Sequence, residues 1–595
     1  MSASEVGRRP VTIVELEQPR CTNTFGVSPC TATGTACYNC PSTCGDLANL
    51  NNDGSIKWRF TDDRPGSRDW SDFSDPDNLE LPPLPTGISV STSASQINAG
   101  SNLDGRSPLG VTGKVSVGLS DFQWNDIWGD NYLASRSGVV AGKPPPVRGP
   151  FWALWTARNQ LFNDMYLSIY DGYESESLSE MRQRLYTLDK VDGPNSNGKV
   201  TLTGLDPLRL AGEKKSEFPR TSDLDLYGNI SLDGQTVQVF GAVADLSDDF
   251  GNTGDTKYLV IDREIIRYTG YTDEGEGVFA LTGILRGALG TDAAAHEDRN
   301  KVQRVGRYEA LEFWLVANDL LANHTEMPSG LIPLADWNEE GNTYLSTYKS
   351  TRTILAPTSV KTLLGQITQQ GLFYIWWEEY AQEIKMLAVR APETAPTVLT
   401  DESHLMRGST LTRDPSIRVT QVAVYYNQID VFGGDQDAAN YSNRYTAIDG
   451  DNLGDTRAIS IYAPWIESRT QAVQLSLRLL SRYKSVPKFL SVSIDAKDRE
   501  VTVGSVVDVE TAAIVDSEGN LDRTRWQVIS AKELKAGHSY ALNLQTYEFV
   551  GKFGRYMAAD APDYDSATDA EKAIGSWYSD ADGLLSAGEK GYQYQ

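Results

Sequence analysis

The sequence predicts a mainly β, multidomain α+β protein. Three observations carry that expectation. Segments that alternate apolar and polar residues in period two outnumber segments with helical spacing. Glycine, Asn, Asp and Pro separate these segments at short intervals, as strand-to-strand turns require. The chain has 595 residues, 40% of them hydrophobic and 23% charged, which is length and apolar content for about four packed domains.

The elements follow in order. After a cysteine-bearing loop, IKWRF (56–60) reads as a short strand, and an acidic stretch rich in Pro, Ser and Asp runs from Thr61 to Pro85. ISVSTSASQI (88–97) and GKVSVGLSDF (113–122) alternate as half-buried strands do. GKPPPVRGP (142–150) is a stiff linker or turn, because three consecutive prolines withhold backbone donors from any sheet. NSNGKVTLTGLDPLRL and DLDLYGNISLDGQTVQVFG continue the alternation of strand and turn. Residues 258–287 read as a meander turning at Asp262–Arg263 and at Asp273–Gly277.

Helical spacing then appears in 310–324, through Leu311, Trp314, Leu315, Leu320 and Leu321. Residues 359–373 form a second helix, with Ser359 as its cap and Gly371 as its stop. FYIWWEEY and EIKMLAVR (383–390) make a hairpin, and RVTQVAVYYNQ (418–428) a strand. The clearest helix is 466–484, where Ala472, Leu475, Leu477, Leu479 and Leu480 supply a broad apolar face. KFLSVSID, EVTVGSVVDVE and RWQVIS close the ordered part as strands. From about Phe553 the composition shifts to Ala, Asp, Gly, Ser and Tyr, which predicts a flexible or partner-dependent tail. The expected divisions are 1–80 (cysteine-rich), 81–305 (β-rich), 306–400 (α/β), 401–552 (second β-rich) and 553–595 (tail).

The net charge of −26 argues against a nucleic-acid reader, which needs clustered Lys and Arg. It leaves two readings open: a generic acidic protein, or a wall past which DNA slides without sticking. No run approaches the ~20 apolar residues of a membrane helix. The N-terminal MSASEVGRRPVTIVELEQ has no apolar core of a signal peptide, so the expectation is synthesis in a reducing cytoplasm.

The strongest chemical signal is five cysteines in CTNTFGVSPCTATGTACYNCPSTC: Cys21, Cys30, Cys37, Cys40 and Cys44, with none after them. Thiolates crowded into one short loop suit convergence on a single centre. Three readings compete. A disulfide framework is disfavoured by the odd count and the reducing compartment. Structural zinc usually takes two short knuckles, and only Cys37-x-x-Cys40 has that form. An iron–sulfur cluster tolerates wider spacings because it is larger than one ion. Spacing alone leaves zinc and iron–sulfur level.

Catalytic constellations fail. His296–Glu297 opens like a zinc-protease helix, but Asn300 stands where the second histidine must be. Asp449-x-Asp451 imitates a calcium loop, yet Leu453 replaces a ligand and Ser460 the bidentate Glu. No phosphate-binding glycine loop and no serine elbow occurs. None of the four histidines (296, 324, 404, 538) has a local partner that would make it a base, and Glu378 and Glu379, as strand neighbours, should face opposite ways. The chain is not expected to be an enzyme.

Four stretches resemble a known family. Written without Cys40, the cysteine loop is C-x8-C then C-x6-C, followed by Gly45–Asp46 and IKWRF. It resembles the iron–sulfur loop of tail-tip hub proteins of long-tailed, non-contractile phages, in which the last two ligands lie in a C-Y-N-x-x-x-x-C phrase. Here that phrase is CYNCPSTC. Residues 258–305 are similar to a second phrase, from "E-x-I-R-Y-T" to "L-x-R-G-x-x-G-T-x-A-x-x-H", in hubs of phages and of gene transfer agents. DREVTVGSVVDVE (498–510) and GKVTLTGLDPLRL…FPR (198–220) have similar counterparts there.

The resemblance implies that Cys21, Cys30, Cys37 and Cys44 hold a cluster, of the 4Fe-4S type, with structural zinc as the alternative and Cys40 as an extra thiol. It implies β-barrel or sandwich-like hub domains, two of them related, in a homotrimer that imitates a sixfold ring and closes the tail tube. The implied partners are the distal tail protein, the tape-measure protein and a central fibre, spike or receptor-binding protein. DNA would be transiting cargo, there would be no stable membrane insertion, and the location would be the virion tail tip. A receptor- or carbohydrate-binding fibre or adhesin is the rival reading, compatible with the β content and 28 tyrosines. An iron–sulfur redox enzyme is a third, and no flavin or nicotinamide motif supports it.

Overall fold

The computed structural model describes residues 10–24, 26–32, 38, 40–62, 83–93, 96–97, 113–125, 148–162, 165–174, 176–247, 256–390, 396–406, 408–449, 456–535, 539–547, 576–578 and 592–594. Strands dominate and are grouped into three sheets that close on themselves, packed around a central α/β unit. No helix among the described residues is long and apolar enough to cross a membrane.

The first sheet takes β1 (Pro10–Arg20), β2 (Gly54–Thr61), β3 (Leu84–Pro85), β4 (Ile88–Ser93), β5 (Lys114–Ser120) and, beyond a short pair β6 (Gln123–Asn125) and β7 (Arg148–Pro150), the meander β8 (Tyr166–Tyr173), β9 (Arg182–Asp192) and β10 (Lys199–Leu205). The strand order is β3-β2-β1-β8-β9-β10-β5-β4. Its two ends are halves of one bent strand. β3 runs parallel to β2, and β4 runs antiparallel to β5. At the bend, the Thr86 amide donates to Thr61 O (2.8 Å) and its hydroxyl to Ser120 O (2.8 Å). The sheet is therefore a barrel, and its pairing crosses the division expected at residue 80.

Alternation along the strands sends Val14, Leu16, Ile56, Val115, Val117, Leu167, Ile169, Val200 and Leu202 inward. The helix Phe151–Arg158 adds Phe151, Trp152 and Trp155 to the same core. Phe151 stacks on Phe122 with ring centroids 5.0 Å apart and meets Trp58 edge-on at the same separation.

The second sheet spans 224–312 and is closed by a bridge between Arg267 and Leu285, whose amides and carbonyls exchange two 2.9 Å hydrogen bonds. Its core is Leu224, Leu226, Val239, Leu259, Ile261, Ile266, Tyr268, Phe279 and Leu281. The expected meander is present as two hairpins, Lys257–Ile261 with Glu264–Tyr268 and Gly270–Gly275 with Val278–Thr282. Both expected turns are where the backbone goes left-handed, at Asp262 (φ 52°) and at Gly275, Glu276 and Gly277.

The third sheet repeats the closure of the first. Thr397–Thr400 runs parallel to Val506–Glu510, and Thr410–Arg413 runs antiparallel to Lys488–Asp495. Between these halves the chain crosses over, with Met406 N donating to Ser493 O at 2.7 Å. The meander Val506–Glu510, Thr524–Lys535, Ser539–Thr546 corresponds to β8–β9–β10, and Lys488–Asp495 lies beside its last strand as β5 lies beside β10. The difference is the hairpin β1–β2, which the first barrel inserts between β8 and the bent strand.

The central unit holds the largest core. Helices Phe313–Asn323, Leu334–Tyr344 and Val360–Gly371 pack with the hairpin Phe373–Glu378/Glu383–Ala388, and Arg469–Tyr483 packs on a small sheet of Gln421–Gln428, Tyr441–Ile448 and Ala458–Ala463. Sequence and structure part in details. Val360–Gly371 keeps the expected stop, Gly371, as its last helical residue and puts Leu372 in the left-handed region (φ 58°). Gly371 is needed for space instead: a Cβ there would come within 2.8 Å of Phe313. EVTVGSVVDVE is a strand only from Val506, because Gly504 turns the chain at φ 87°. Only Arg148–Pro150 of the proline-rich linker is described, as a short strand. Residues 451–455 of the calcium-like loop and nearly all of the tail beyond Phe553 lie outside the described residues, while Ser460 sits in the strand Ala458–Ala463.

Candidate functional site

The cysteines sit in the connection between β1 and β2, at the end of the first barrel where the helix Phe151–Arg158 terminates. Two loops of that connection are laced together. Thr22 N donates to Asn51 O (2.9 Å) and Asn23 Nδ2 to Asn49 O (2.7 Å). The amide and hydroxyl of Thr31 both donate to Asp46 Oδ2, at 2.7 and 2.9 Å. Thr31's amide, helped by Asn49 and the Thr31 hydroxyl, holds the Asp46 carboxyl below the usual carboxylate range. The lacing joins the segment of Cys30 to that of Cys44, and Asp46 N in turn donates to Cys44 Sγ at 3.4 Å.

Cys21, directly after β1, is buried, and Cys30 and Cys44 are half-buried. Cys37 lies outside the described residues. Among the described residues no group of three or more His, Cys, Asp or Glu side chains stands close enough to hold a metal ion. The donor chemistry suits a soft ion or an iron–sulfur cluster, and an amide N–H on a cysteine sulfur is an interaction that tunes such clusters. The loop thus offers suitable donors on adjoining segments, while their convergence is absent among the described residues.

Cys40 stands apart. It is 1% exposed, and its Sγ donates to Arg158 O at 3.0 Å. That carbonyl only accepts, so the thiol proton is spent there and the Thr43 hydroxyl, 3.0 Å from Sγ, is the donor of that pair. Burial pushes the Cys40 thiol up, against the opposing bonds from Thr43. A protonated, buried thiol is a structural donor. Around it the Arg158 guanidinium lies 4.0 Å over the Tyr38 ring, and Gln160 N donates to Ser42 Oγ at 3.1 Å. These contacts clip the cysteine loop to the end of the barrel helix.

The barrel beneath is tied by polar residues that its strand patterns did not announce. Gln18, 3% exposed, accepts from Trp58 Nε1 and Trp155 Nε1, both at 2.9 Å. Glu15 and Arg59, direct partners on β1 and β2, form a buried 2.6 Å ion pair, and Tyr170 donates to the other Glu15 oxygen at 3.3 Å.

The phrase in 258–305 resolves into one buried network in the second barrel. Glu264 is fully buried and receives Arg286 through Nε (2.5 Å) and Nη2 (2.7 Å), the amides of Gly287 and Ala294 (both 3.0 Å) and His296 Nε2 (2.8 Å). Burial opposes its ionisation, but the bonds from Arg286, Ala294 and His296 outweigh it and pull the carboxyl down to about 2. Gly287 is left-handed (φ 62°), and a Cβ there would meet Thr291 O at 2.8 Å. Thr291 Oγ1 accepts from Ile265 N at 3.0 Å. The other His296 nitrogen meets Asp262 at 2.9 Å, and Asn300 donates to the same Asp262 oxygen at 2.8 Å. Glu, Arg, Gly, Thr and His of the phrase therefore share one structural role, pinning the loop 286–296 onto the strand Glu264–Tyr268. Their partners are more than twenty residues away, so local spacing gave no sign of them.

No protein-family model matches the chain, and no curated protein matches it in sequence. Among solved structures, the chain is similar to the 43 kDa tail protein of prophage MuSo2 from Shewanella oneidensis, at 10% identity and a TM-score of 0.30, covering 77% of this chain and 98% of that one. It is similar to a tail protein from Neisseria meningitidis at 8% identity and a TM-score of 0.36, over 77% and 96% of the two chains. A prophage tail protein from Listeria monocytogenes gives 8% identity and a TM-score of 0.30, over 77% and 88%. At these identities and scores the likeness carries no functional argument.

Proposed function

We propose that this chain is a structural component of a phage-type tail, the hub that closes the distal end of the tail tube as a homotrimer. The observation that carries the reading is the repeated barrel. One chain holds two barrels with the same strand path and the same bent closing strand, so three chains would present six similar units to a sixfold tube. The proposed contacts are a distal tail ring on one side and a fibre, spike or receptor-binding protein on the other, with tape-measure protein and DNA passing through. A net charge of −26 suits a passage that must not retain a polyanion. The work is mechanical, and no catalytic step is assigned.

Cys21, Cys30, Cys37 and Cys44 would hold an iron–sulfur cluster, or a zinc ion in its place, with Cys40 kept out of the ligand set by its bond to Arg158. Such a centre would supply folding energy to a long connection with little core of its own.

Electron microscopy of the purified chain tests the assembly. Threefold rings with an axial opening and six similar peripheral units are expected; a monomer at micromolar concentration, or an elongated fibre, overturns the hub reading. Metal analysis of protein purified without oxygen tests the centre. Iron with sulfide, lost in Cys21→Ser, Cys30→Ser, Cys37→Ser or Cys44→Ser and kept in Cys40→Ser, is the expected result. Zinc with the same dependence selects the alternative, and absence of any metal removes the centre.

A further inference from the structure

Among the described residues, a group of buried and half-buried ionisable side chains lies where the first barrel, the hairpin Phe373–Ala388 and the third barrel meet. From β8 and β9 come Asp171, Arg182, Arg184 and Tyr186; from the hairpin, Glu378, Glu379 and Tyr380; from the third barrel, Glu533 and Tyr540. Arg184 bonds Asp171 and stands 3.9 Å from Glu533, and the side chains of all three are at most 6% exposed. Thr12 of β1 donates to Asp171 at 3.1 Å, and Tyr380 donates to Glu533 at 2.9 Å. Arg182 lies 3.7 Å over the Tyr380 ring and donates to the Tyr540 hydroxyl. Glu379 stands beside Arg184 and Tyr186, while Glu378 accepts from Trp376 Nε1 at 3.4 Å, with Lys385 in its field. Next to Glu379, the fully buried end of the cluster is Asp206, which accepts from Gly113 N at 2.6 Å and feels Lys361.

The strand ends at Glu378 and Glu379 starts the turn, so the two acids expected to face opposite ways share this joint. Asp171, Glu378, Glu379 and Glu533 face the two guanidinium groups of Arg182 and Arg184. The same seam is crossed by backbone bonds, Ile97 N to Ile529 O at 2.9 Å, and by Trp377 Nε1 to Leu185 O at 3.2 Å. A cleft lined by Thr12, Asp62, Asp171, Arg184 and Glu533 opens beside the cluster and admits water and protons.

We propose that this joint is a pH-responsive contact, holding the first barrel, the hairpin and the third barrel together when its excess carboxylates carry protons and loosening when they ionise. Buried carboxylates in excess of their cations cost free energy once charged, and separating the surfaces lets water solvate them. Burial, against Arg184, pushes Asp171 and Glu379 up, and burial also raises Glu378. Burial carries Asp206 to about 7. An acid raised in the folded joint binds more protons there than when exposed, so the joint weakens as pH rises from the exposed value of about 4 to the raised one. For Asp206 that window runs up to about pH 7. The inference is independent of the hub reading, since it concerns contacts within one chain.

Hydrogen exchange of the full chain at pH 5.5, 6.5 and 7.5, corrected for intrinsic rates, tests it. Protection of 166–192, 373–388 and 524–546 should fall about tenfold across that range, the equivalent of one proton's shift by one pKa unit. Protection of 257–282 should stay level. In Asp206→Asn, which keeps an acceptor for Gly113 N, the fall should shrink to about threefold or less, and Glu276→Gln, on an exposed turn, should keep the wild-type slope. Protection of the joint that is independent of pH in the unsubstituted protein overturns the proposal. So does a full slope retained in Asp206→Asn.

Discussion

The first and third barrels follow one path and solve two packing problems. Without the inserted hairpin, the third barrel is narrow and filled by aliphatic side chains, Leu399, Leu490, Val492, Ile494, Val507, Val509, Val528, Leu542 and Leu544, around a single tryptophan, Trp526. With β1 and β2 added, the first is wider, and its interior takes a helix bearing Phe151, Trp152 and Trp155 as well as Trp58 and Phe60. Because strands were added as an antiparallel pair, β8 keeps the direction that Val506–Glu510 has relative to its closing strand. The insertion leaves the path intact and changes the filling. It also places a polar group, Gln18, in the interior and a buried ion pair, Glu15 with Arg59, on the outer face, where the third barrel buries the uncharged Gln527 and Gln545.

That contrast can be broken by substitution. Arg59→Ala leaves Glu15 charged without its guanidinium partner on the covered outer face of the inserted hairpin and should cost about 3–5 kcal/mol. Urea unfolding followed by tryptophan fluorescence reads the loss, and hydrogen exchange should confine it to 10–61 and 166–173 while 524–546 keeps its protection. Equal loss in both barrels would show that they unfold as one unit.

The second barrel, pinned by Glu264, sharpens the comparison through pH. Its carboxyl is depressed to about 2 when folded, so its contribution is complete above the unfolded value of about 4.5 and is lost as pH falls through the folded value. Acid should therefore remove about 3 kcal/mol from this barrel between those limits. Glu264→Gln should abolish the acid dependence while lowering stability at neutral pH. The barrel joint should show the opposite trend over its own, higher window.

Smaller effects test the polar filling. Gln18→Ala strands two indole donors and should cost about 2 kcal/mol, read by the same unfolding experiment, with near-ultraviolet circular dichroism reporting the tryptophans. Cys40→Ala removes the thiol bond to Arg158 O and should cost about 1 kcal/mol. Its metal content should match that of the unsubstituted protein, whereas a loss of metal would place Cys40 among the ligands.

Much of this architecture was legible where one face of an element is dry and the other wet. The helix Arg469–Tyr483, the hairpin Phe373–Ala388 and the meander in 257–282 all carry their period openly. Strand β1 did not, because it is central and both its faces are covered: Val14 and Leu16 point into the barrel, while Val11 and Ile13 meet Tyr170 and Met181 on the other side. FWALWTAR shows no apolar stripe because its length is only about two turns. Leu334–Tyr344 was hidden by Gly341, which looks like a helix breaker yet is where Trp314 packs, within 2.4 Å of any added Cβ. The cysteines were visible as a cluster, but the separate part played by Cys40 depends on Arg158, far away in sequence. The same holds for Glu264 and His296, whose pairing only the fold reveals.

The bent closing strand has a consequence for behaviour in a crowded cell. Leu84–Pro85 bonds to one neighbour and Ile88–Ser93 to another, as Thr397–Thr400 and Thr410–Arg413 do in the third barrel, so among the described residues the closing strands turn only short stretches of unpaired backbone toward another chain. Open rims are the usual template for runaway strand addition. Copies brought together at high local concentration must therefore recognise each other through side chains and loops, which can be specific, and are denied the indiscriminate backbone zippering that ends in fibrils.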